Sequence, residues 1–384
     1  MKEKRLLIVV NEDKSFLSHR KEIGVLAHTK GWNVAVVGKN TGKKKEIEDL
    51  GIQFIEMPVN PTGKKLHQEL RTLRFLVSLY SREKSAIIHH VGLKNIVWGG
   101  VAARMQNIDG IINAVSGLGI LFSDYNPSHL KKFLIPVIRW GMQRDNVSII
   151  FQNHEDESLF EALGISEKTD VYFIKGSGVD LSQYKGEAHS PEGKPIRVIF
   201  AGRMVKDKGV LDFIQAAEIL RKKYEGKVEF VLCGALSTNP FAVKKEELDR
   251  LCDGEYIKYI GFRSDMPQQF EKSDIMCFPS YYREGVPKAI LDASAAGLPI
   301  ITCDSIGCRD TVKDGQNGFL VPPKSPEIIA EKLEILITDE KLRRNMGGMS
   351  RQMAEKEYDV NHVASKHLRI YENTLKRRKK KKRK

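Results

Sequence analysis

Short apolar runs alternate with segments of helical period along this chain, and the alternation starts over once. In the first half, residues 6–10, 33–37, 53–56, 86–89, 110–115 and 148–152 read as strands. Helical patterns lie between them at 16–27, 45–50, 66–81 and 95–104. A stretch rich in Gly, Ser and Pro follows at 176–195 and reads as a linker. The rhythm then restarts at 197–201 and continues with strands at 228–233, 256–259, 274–278, 299–302 and 319–321. Strands joined through helices pair in parallel and need cover on both faces. The expectation is therefore α/β, with two doubly wound parallel-sheet (Rossmann-like) domains facing a central cleft. The predicted limits are 1–180 and 181–356, then a helix over 357–375 packing back on the first domain, then a disordered polybasic tail over 376–384. Ligands of such sheets bind beyond the C-terminal ends of strands, so every loop that follows a strand is a candidate site.

The most informative of these loops is Pro279-Ser280-Tyr281-Tyr282-Arg283-Glu284-Gly285-Val286-Pro287-Lys288-Ala289-Ile290-Leu291-Asp292. It follows the apolar run Ile275-Met276-Cys277-Phe278. Glu284 and Gly285 form a turn, and Pro287 suits the first position of a helix because its missing N–H is no loss there. That helix stops at Gly297, before Pro299. Two carboxylates, Glu284 and Asp292, are then separated by about 10 Å along a helix. The helix N-terminus between them favours an anion. Hydroxyl acceptors on either side of a phosphate site describe a nucleotide sugar. A second strand-end loop, Ala201-Gly202-Arg203-Met204-Val205-Lys206-Asp207-Lys208-Gly209, adds the cations Arg203 and Lys208 at a turn that opens another helix, where side chains and backbone N–H groups can converge on a diphosphate.

Composition narrows the setting. The chain has 384 residues, a hydrophobic content of 41% and a net charge of +14. Positions 376–384 are all Lys or Arg, positions 1–180 are mildly basic, and 181–375 hold equal numbers of acids and bases. This distribution predicts an anionic surface touched from one side. Five cysteines, none in a Cys-x-x-Cys pair, fit reduced structural thiols in a cytosolic protein. The apolar run after Met1-Lys2-Glu3-Lys4-Arg5 is too short for a signal-peptide core, and no run approaches the roughly 18 apolar residues that span a bilayer. Segment 128–142 is apolar, contains Trp140, and carries Lys131, Lys132 and Arg139, with Arg144 just beyond. It can be read as a buried helix or as a bilayer-interface segment. The tail could hold the protein at an anionic leaflet, at about 1 kcal/mol per basic residue. Nucleic-acid binding is another use of such a tail, as is solubility alone.

Several motifs together resemble one family. Gly-Arg-x-x-x-x-Lys-Gly, the Glu-x7-acid segment, and Asp310-x4-Gly315-x-Asn317-Gly318-Phe319-Leu320-Val321-Pro322 are similar to the retaining family 4 glycosyltransferases of the GT-B fold. Phe16-Leu17-Ser18-His19-Arg20, Ala102-Ala103-Arg104, Ser116-Gly117-Leu118-Gly119, Ser177-Gly178-Val179-Asp180, Asn239-Pro240 and Gly261-Phe262-Arg263-Ser264-Asp265-Met266 resemble the branch that builds bacterial capsule, O-antigen and glycoprotein glycans. Within that branch they look most like the N-acetylgalactosaminyltransferases that extend lipid-linked bacillosamine.

The resemblance implies that Arg203 and Lys208 hold the donor diphosphate and Glu284 the hydroxyls of the transferred sugar. Asp292 would hold the ribose, Arg263 would stack on the uracil, and Gly285, Val286 and Lys288 would complete the donor site. It implies no cofactor beyond the UDP-sugar donor, and a polyprenyl-diphosphate-linked saccharide as acceptor, met by a cytoplasmic protein peripheral to the inner face of the bacterial membrane. Two positions depart from the family. Asp292 stands where Glu is usual, and Ser116 where some members have His. The acceptor-side candidates are His19, Arg20, His89, Ser116 and Asp124. No Asp-x-Asp pair follows a strand, so cations rather than a metal would neutralise the leaving diphosphate. A nucleotide-sugar epimerase of the same fold and a non-catalytic nucleic-acid or membrane binder are the alternatives.

Overall fold

The computed structural model describes residues 4–58, 66–118, 128–187, 189, 193–237 and 241–382. Asp124, Gly119, Asn239 and Pro240 lie outside the described residues. The chain divides into two compact units, Met1–Ser177 with Val360–Lys384, and Gly178–Asp359.

The first unit is built on seven parallel strands, β1 (Lys4–Glu12), β2 (Trp32–Lys39), β3 (Gln53–Glu56), β4 (Ile87–Val91), β5 (Gly110–Ala114), β6 (Val147–Phe151) and β7 (Asp170–Phe173). Their order across the sheet is β3-β2-β1-β4-β5-β6-β7. The helices are α1 (Asp13–His19), α2 (Lys21–Thr29), α3 (Lys44–Glu48), α4 (Leu66–Glu83), α5 (Leu93–Arg104), α6 (Ser128–Met142) and α7 (His154–Ala162). The pleat of β1 accounts for the two cores. Leu7 and Val9 join Ile88, Ile111 and Val147 on one face. Leu6, Ile8 and Val10 join Val34, Ile87 and Ile112 on the other. A strand whose successive side chains are all buried suits only a sheet covered on both sides.

The second unit repeats the scheme with β8 (Ile196–Ala201), α8 (Val210–Tyr224), β9 (Val228–Cys233), α9 (Lys245–Leu251), β10 (Ile257–Tyr259), α10 (Met266–Glu271), β11 (Ile275–Phe278), α11 (Lys288–Ala296), β12 (Ile300–Cys303), β13 (Gly318–Val321), α12 (Pro326–Thr338) and α13 (Glu340–Met353). The strands are parallel in the order β10-β9-β8-β11-β12-β13. After one turn of π-helix over Ala354–Tyr358, α14 (Val360–Lys382) returns to the first unit. There Val363, Ala364, Ile370 and Tyr371 complete the core on the α2 side of the sheet.

Two expectations need correction. Residues 376–382 are not an unstructured tail; they continue α14, and Arg377 and Arg378 form ion pairs with Asp170 and Asp109. An acid within reach of each arginine offsets the like-charge repulsion from which disorder was inferred. The Gly- and Ser-rich stretch is not a plain linker either. Val179 pairs with Asp359 in a β-bridge, and Val179 and Tyr184 are buried in the second unit's core. The polar residues Asn11–Ser15 belong to regular structure, because β1 runs to Glu12 and Asp13 opens α1. Asp13 is buried and accepts from the backbone N–H groups of Lys14, Thr41 and Lys43. Those bonds hold its carboxyl below the usual range against the opposing effect of burial.

Candidate active site

Each sheet reverses its strand order once, between β1 and β4 in the first unit and between β8 and β11 in the second. Loops leaving the C-terminal ends of strands on either side of such a reversal diverge and leave a crevice for ligand. In the second unit these are the loops after β8 and β11, which carry Arg203, Lys208 and Glu284.

The two loops are locked together by backbone. Asp207 O accepts from both Tyr281 N and Tyr282 N at 2.9 Å. Gly209, at φ +76°, packs so tightly on Pro279 that a Cβ there would come within 2.2 Å of its carbonyl oxygen. Only glycine meets both demands. From the floor, Thr302 Oγ1 donates to Phe278 O, and Ser305 Oγ donates to Ser280 O. Within this frame Lys208 Nζ lies 2.6 Å from Glu284 Oε1, and also sits 5.3 Å from the centre of the Phe278 ring. Ser280 Oγ is 3.4 Å from the same carboxylate oxygen. Lys208 is 9% exposed, so it is not the solvent-facing loop lysine that its sequence context would permit.

Arg203 is exposed and makes no ion pair or side-chain hydrogen bond among the described residues. It faces Tyr282 of the neighbouring loop, whose hydroxyl is pushed up by burial and pulled back by the Arg203 charge. The second carboxylate is also engaged. Lys288 Nζ lies 2.7 Å from Asp292 Oδ1, one turn along α11. The Tyr184 hydroxyl bonds the same aspartate, and burial followed by the Asp292 charge raises its pKa. Tyr184 was missed from sequence because it lies in the stretch read as linker. Gly285 and Val286 are buried under this turn, with Pro287 as the cap of α11 rather than its first residue. Arg263 is tied by two 2.8 Å bonds to Asp265, which holds the Asp265 carboxyl well below the usual range.

The first unit distributes its candidates unevenly. His19 is exposed at the end of α1, and Ser116 is exposed just after β5. His89 is not at a strand end. It lies within β4, fully buried, with Nδ1 2.7 Å from the Tyr371 hydroxyl of α14. Arg20 is 3% exposed and reaches inward toward the same group, its Nη1 donating to His19 O. Both are core side chains in this fold. At the β1/β4 reversal the structure instead places Asn11, which accepts from Asn95 Nδ2 at 3.0 Å. A lone Asn after a strand gave no sequence signal.

Comparison with known proteins follows the two units. A family model described as Glycosyl transferase 4-like matches residues 5–153, and one described as Glycosyl transferases group 1 matches residues 184–353. The chain is 27% identical over 345 residues to the N,N'-diacetylbacillosaminyl-diphospho-undecaprenol alpha-1,3-N-acetylgalactosaminyltransferase of Campylobacter jejuni, covering 86% of this chain and 89% of that one. It is 25% identical to the capsular polysaccharide biosynthesis glycosyltransferase CapM of Staphylococcus aureus, over 98% and 99% of the two chains. The crystal structure of Anabaena HepE in complex with UDP superposes with a TM-score of 0.74 at 19% identity, over 96% of this chain and 100% of that one. A 4-like model over the first half and a group 1 model over the second together span most of the chain, each on its own parallel sheet, and the chain belongs to the glycosyl transferases.

Proposed function

We propose that the enzyme transfers a hexose or N-acetylhexosamine from a UDP-sugar to a polyprenyl-diphosphate-linked saccharide, with retention and without a metal. The observation that carries this reading is the Lys208–Glu284 pair, a cation and an acid fixed side by side at the strand reversal. Lys208 and Arg203 would stabilise the charge that develops on the departing UDP. Glu284 would accept hydroxyls of the sugar, and α11 would offer its first N–H groups to phosphate. The bond from the sugar carbon to the β-phosphate oxygen breaks as the acceptor oxygen bonds on the same face. The acceptor's proton passes to that departing oxygen. The UDP bound in the Anabaena neighbour and the diphospho-undecaprenol acceptor named for the Campylobacter relative support this choice of substrates. Among the described residues no three His, Cys, Asp or Glu side chains gather as a metal site. Neither the epimerase nor the nucleic-acid alternative finds support among the relatives.

No helix among the described residues is long and apolar enough to cross a membrane. Peripheral attachment to an anionic bilayer is supported by α6. Its Ile138 and Met142 are buried, while Arg139 and Trp140 are exposed, and Arg104 lies 5.0 Å from the Trp140 ring. The basic end of α14 adjoins this region, since Arg378 and Arg104 both act on Arg144.

The test is incubation of UDP-sugars with a short polyprenyl-diphosphate-linked saccharide, with and without EDTA, in the presence of phosphatidylglycerol vesicles. Glycosylated lipid should form equally in both. Loss on chelation and recovery with Mn²⁺ would overturn metal independence, and consumption of donor without acceptor would overturn transfer.

A further inference from the structure

In the second unit the ammonium proposed to hold the donor diphosphate has a carboxylate beside it. Lys208 Nζ sits 2.6 Å from Glu284 Oε1, and the two side chains are 11% and 16% exposed. No other ion pair or hydrogen bond to that ammonium occurs among the described residues. The two loops cannot drift apart to release it, because Asp207 O is bonded to two N–H groups of the opposite loop and Gly209 is wedged against Pro279. Any exchange of partners must be a movement of side chains alone. Arg203, exposed and facing the same loop, carries no such counter-ion among the described residues.

We infer that Glu284 is a built-in competitor for Lys208: the carboxylate holds the ammonium until a diphosphate displaces it, and thereby lowers affinity for the nucleotide. The inference rests on the donor site proposed above. A close ion pair in a shielded setting must be given up when Lys208 turns to phosphate, so part of the binding energy of a diphosphate is spent on the exchange. The sugar changes the balance. Its hydroxyls give the released carboxylate new donors, so a complete UDP-sugar recovers what UDP alone loses. After transfer the hydroxyls leave with the product, Glu284 returns to Lys208, and UDP is expelled. Glu284 would then discriminate between donor and spent nucleotide without touching the nucleotide.

UDP contains no sugar, so it separates this role from hydroxyl recognition. Calorimetric titration of UDP into the full-length protein, Glu284→Gln, Lys208→Ala and the double variant is the test, with circular dichroism confirming that each is folded. Glu284→Gln should bind UDP about fivefold to tenfold more tightly than the unmodified chain, since its neutral amide no longer holds the ammonium. The same substitution should change nothing in the Lys208→Ala background. Unchanged or weaker UDP binding by Glu284→Gln would overturn the inference, as would an equal gain with and without Lys208. Absence of UDP binding in all four proteins would sink the donor-site reading itself and the inference with it, a result distinct from the other two.

Discussion

The two units each bury a cation close to the strand reversal of their sheet, and they treat it in opposite ways. In the second unit Lys208 has a carboxylate at 2.6 Å. In the first, Arg20 is 3% exposed and has no acid among the described residues; its Nε lacks any hydrogen-bond partner there. Its neighbours are His89, His367 and Tyr371. Burial lowers the guanidinium pKa to about 10, partly opposed by Tyr371. The lesson concerns what a buried charge is for. A charge with a displaceable partner can be handed to a ligand. A charge wrapped in imidazole and phenol has no counter-ion to exchange.

The contrast can be broken in three ways, and the largest effect belongs to the second unit. Lys208→Ala should lower kcat for sugar transfer by about 10²–10³-fold, with Arg203→Ala losing less, measured as labelled lipid product. Turnover near that of the unmodified enzyme for Lys208→Ala would remove the distinction between an exchangeable cation and a structural one.

The next effect is on stability in acid and belongs to the first unit. Burial is the main cause of the low pKa of His90, at about 4, of His367, at about 3, and of His89, well below its usual value. Unfolded, all three would titrate near 6.5. Between those limits the unfolded chain binds more protons than the folded one, so stability falls as pH drops from about 6.5 toward 4. The loss is about 1.4 kcal/mol per pH unit for each imidazole at most. All three tryptophans, Trp32, Trp98 and Trp140, lie in the first unit. Tryptophan fluorescence should therefore report an acid transition at higher pH than the circular dichroism of the whole chain. His367→Phe should shift it downward, and coincident transitions would show that the units share one acid response.

The smallest effect is at Arg20. Replacing an unpaired buried cation by an apolar side chain of similar length removes a desolvation cost. Arg20→Met should raise stability by about 1 kcal/mol, seen as a higher urea midpoint of tryptophan fluorescence. A sharp loss would mean that Arg20 is held by something the core cluster does not contain.

Much of this was legible in the sequence, for identifiable reasons. Strands such as β3 and β9 match the sequence reading residue for residue because an apolar run between turn signals leaves few alternatives. β7 was missed because Asp170-Val171-Tyr172-Phe173 is a short edge strand whose residues are only partly buried or exposed, so it lacks the continuous apolar signature of a central strand. Arg203, Lys208 and Glu284 stood out because loops after strands concentrate binding groups. That Lys208 and Glu284 would pair could not be read, since it depends on β8 and β11 being neighbours in the sheet. The burial of Arg20 and His89 was equally hidden, because α14, which supplies His367 and Tyr371 to cover them, comes from the far end of the chain.

The β-bridge between Val179 and Asp359, reinforced by Val179 N donating to Tyr358 O at 2.8 Å, brings the two ends of the second unit side by side. A module that enters and leaves through one doorway can be exchanged without cutting the other unit more than once. Relatives could thus trade nucleotide preferences by recombining one contiguous stretch, and an engineer could do the same by grafting residues 178–359 from a homologue.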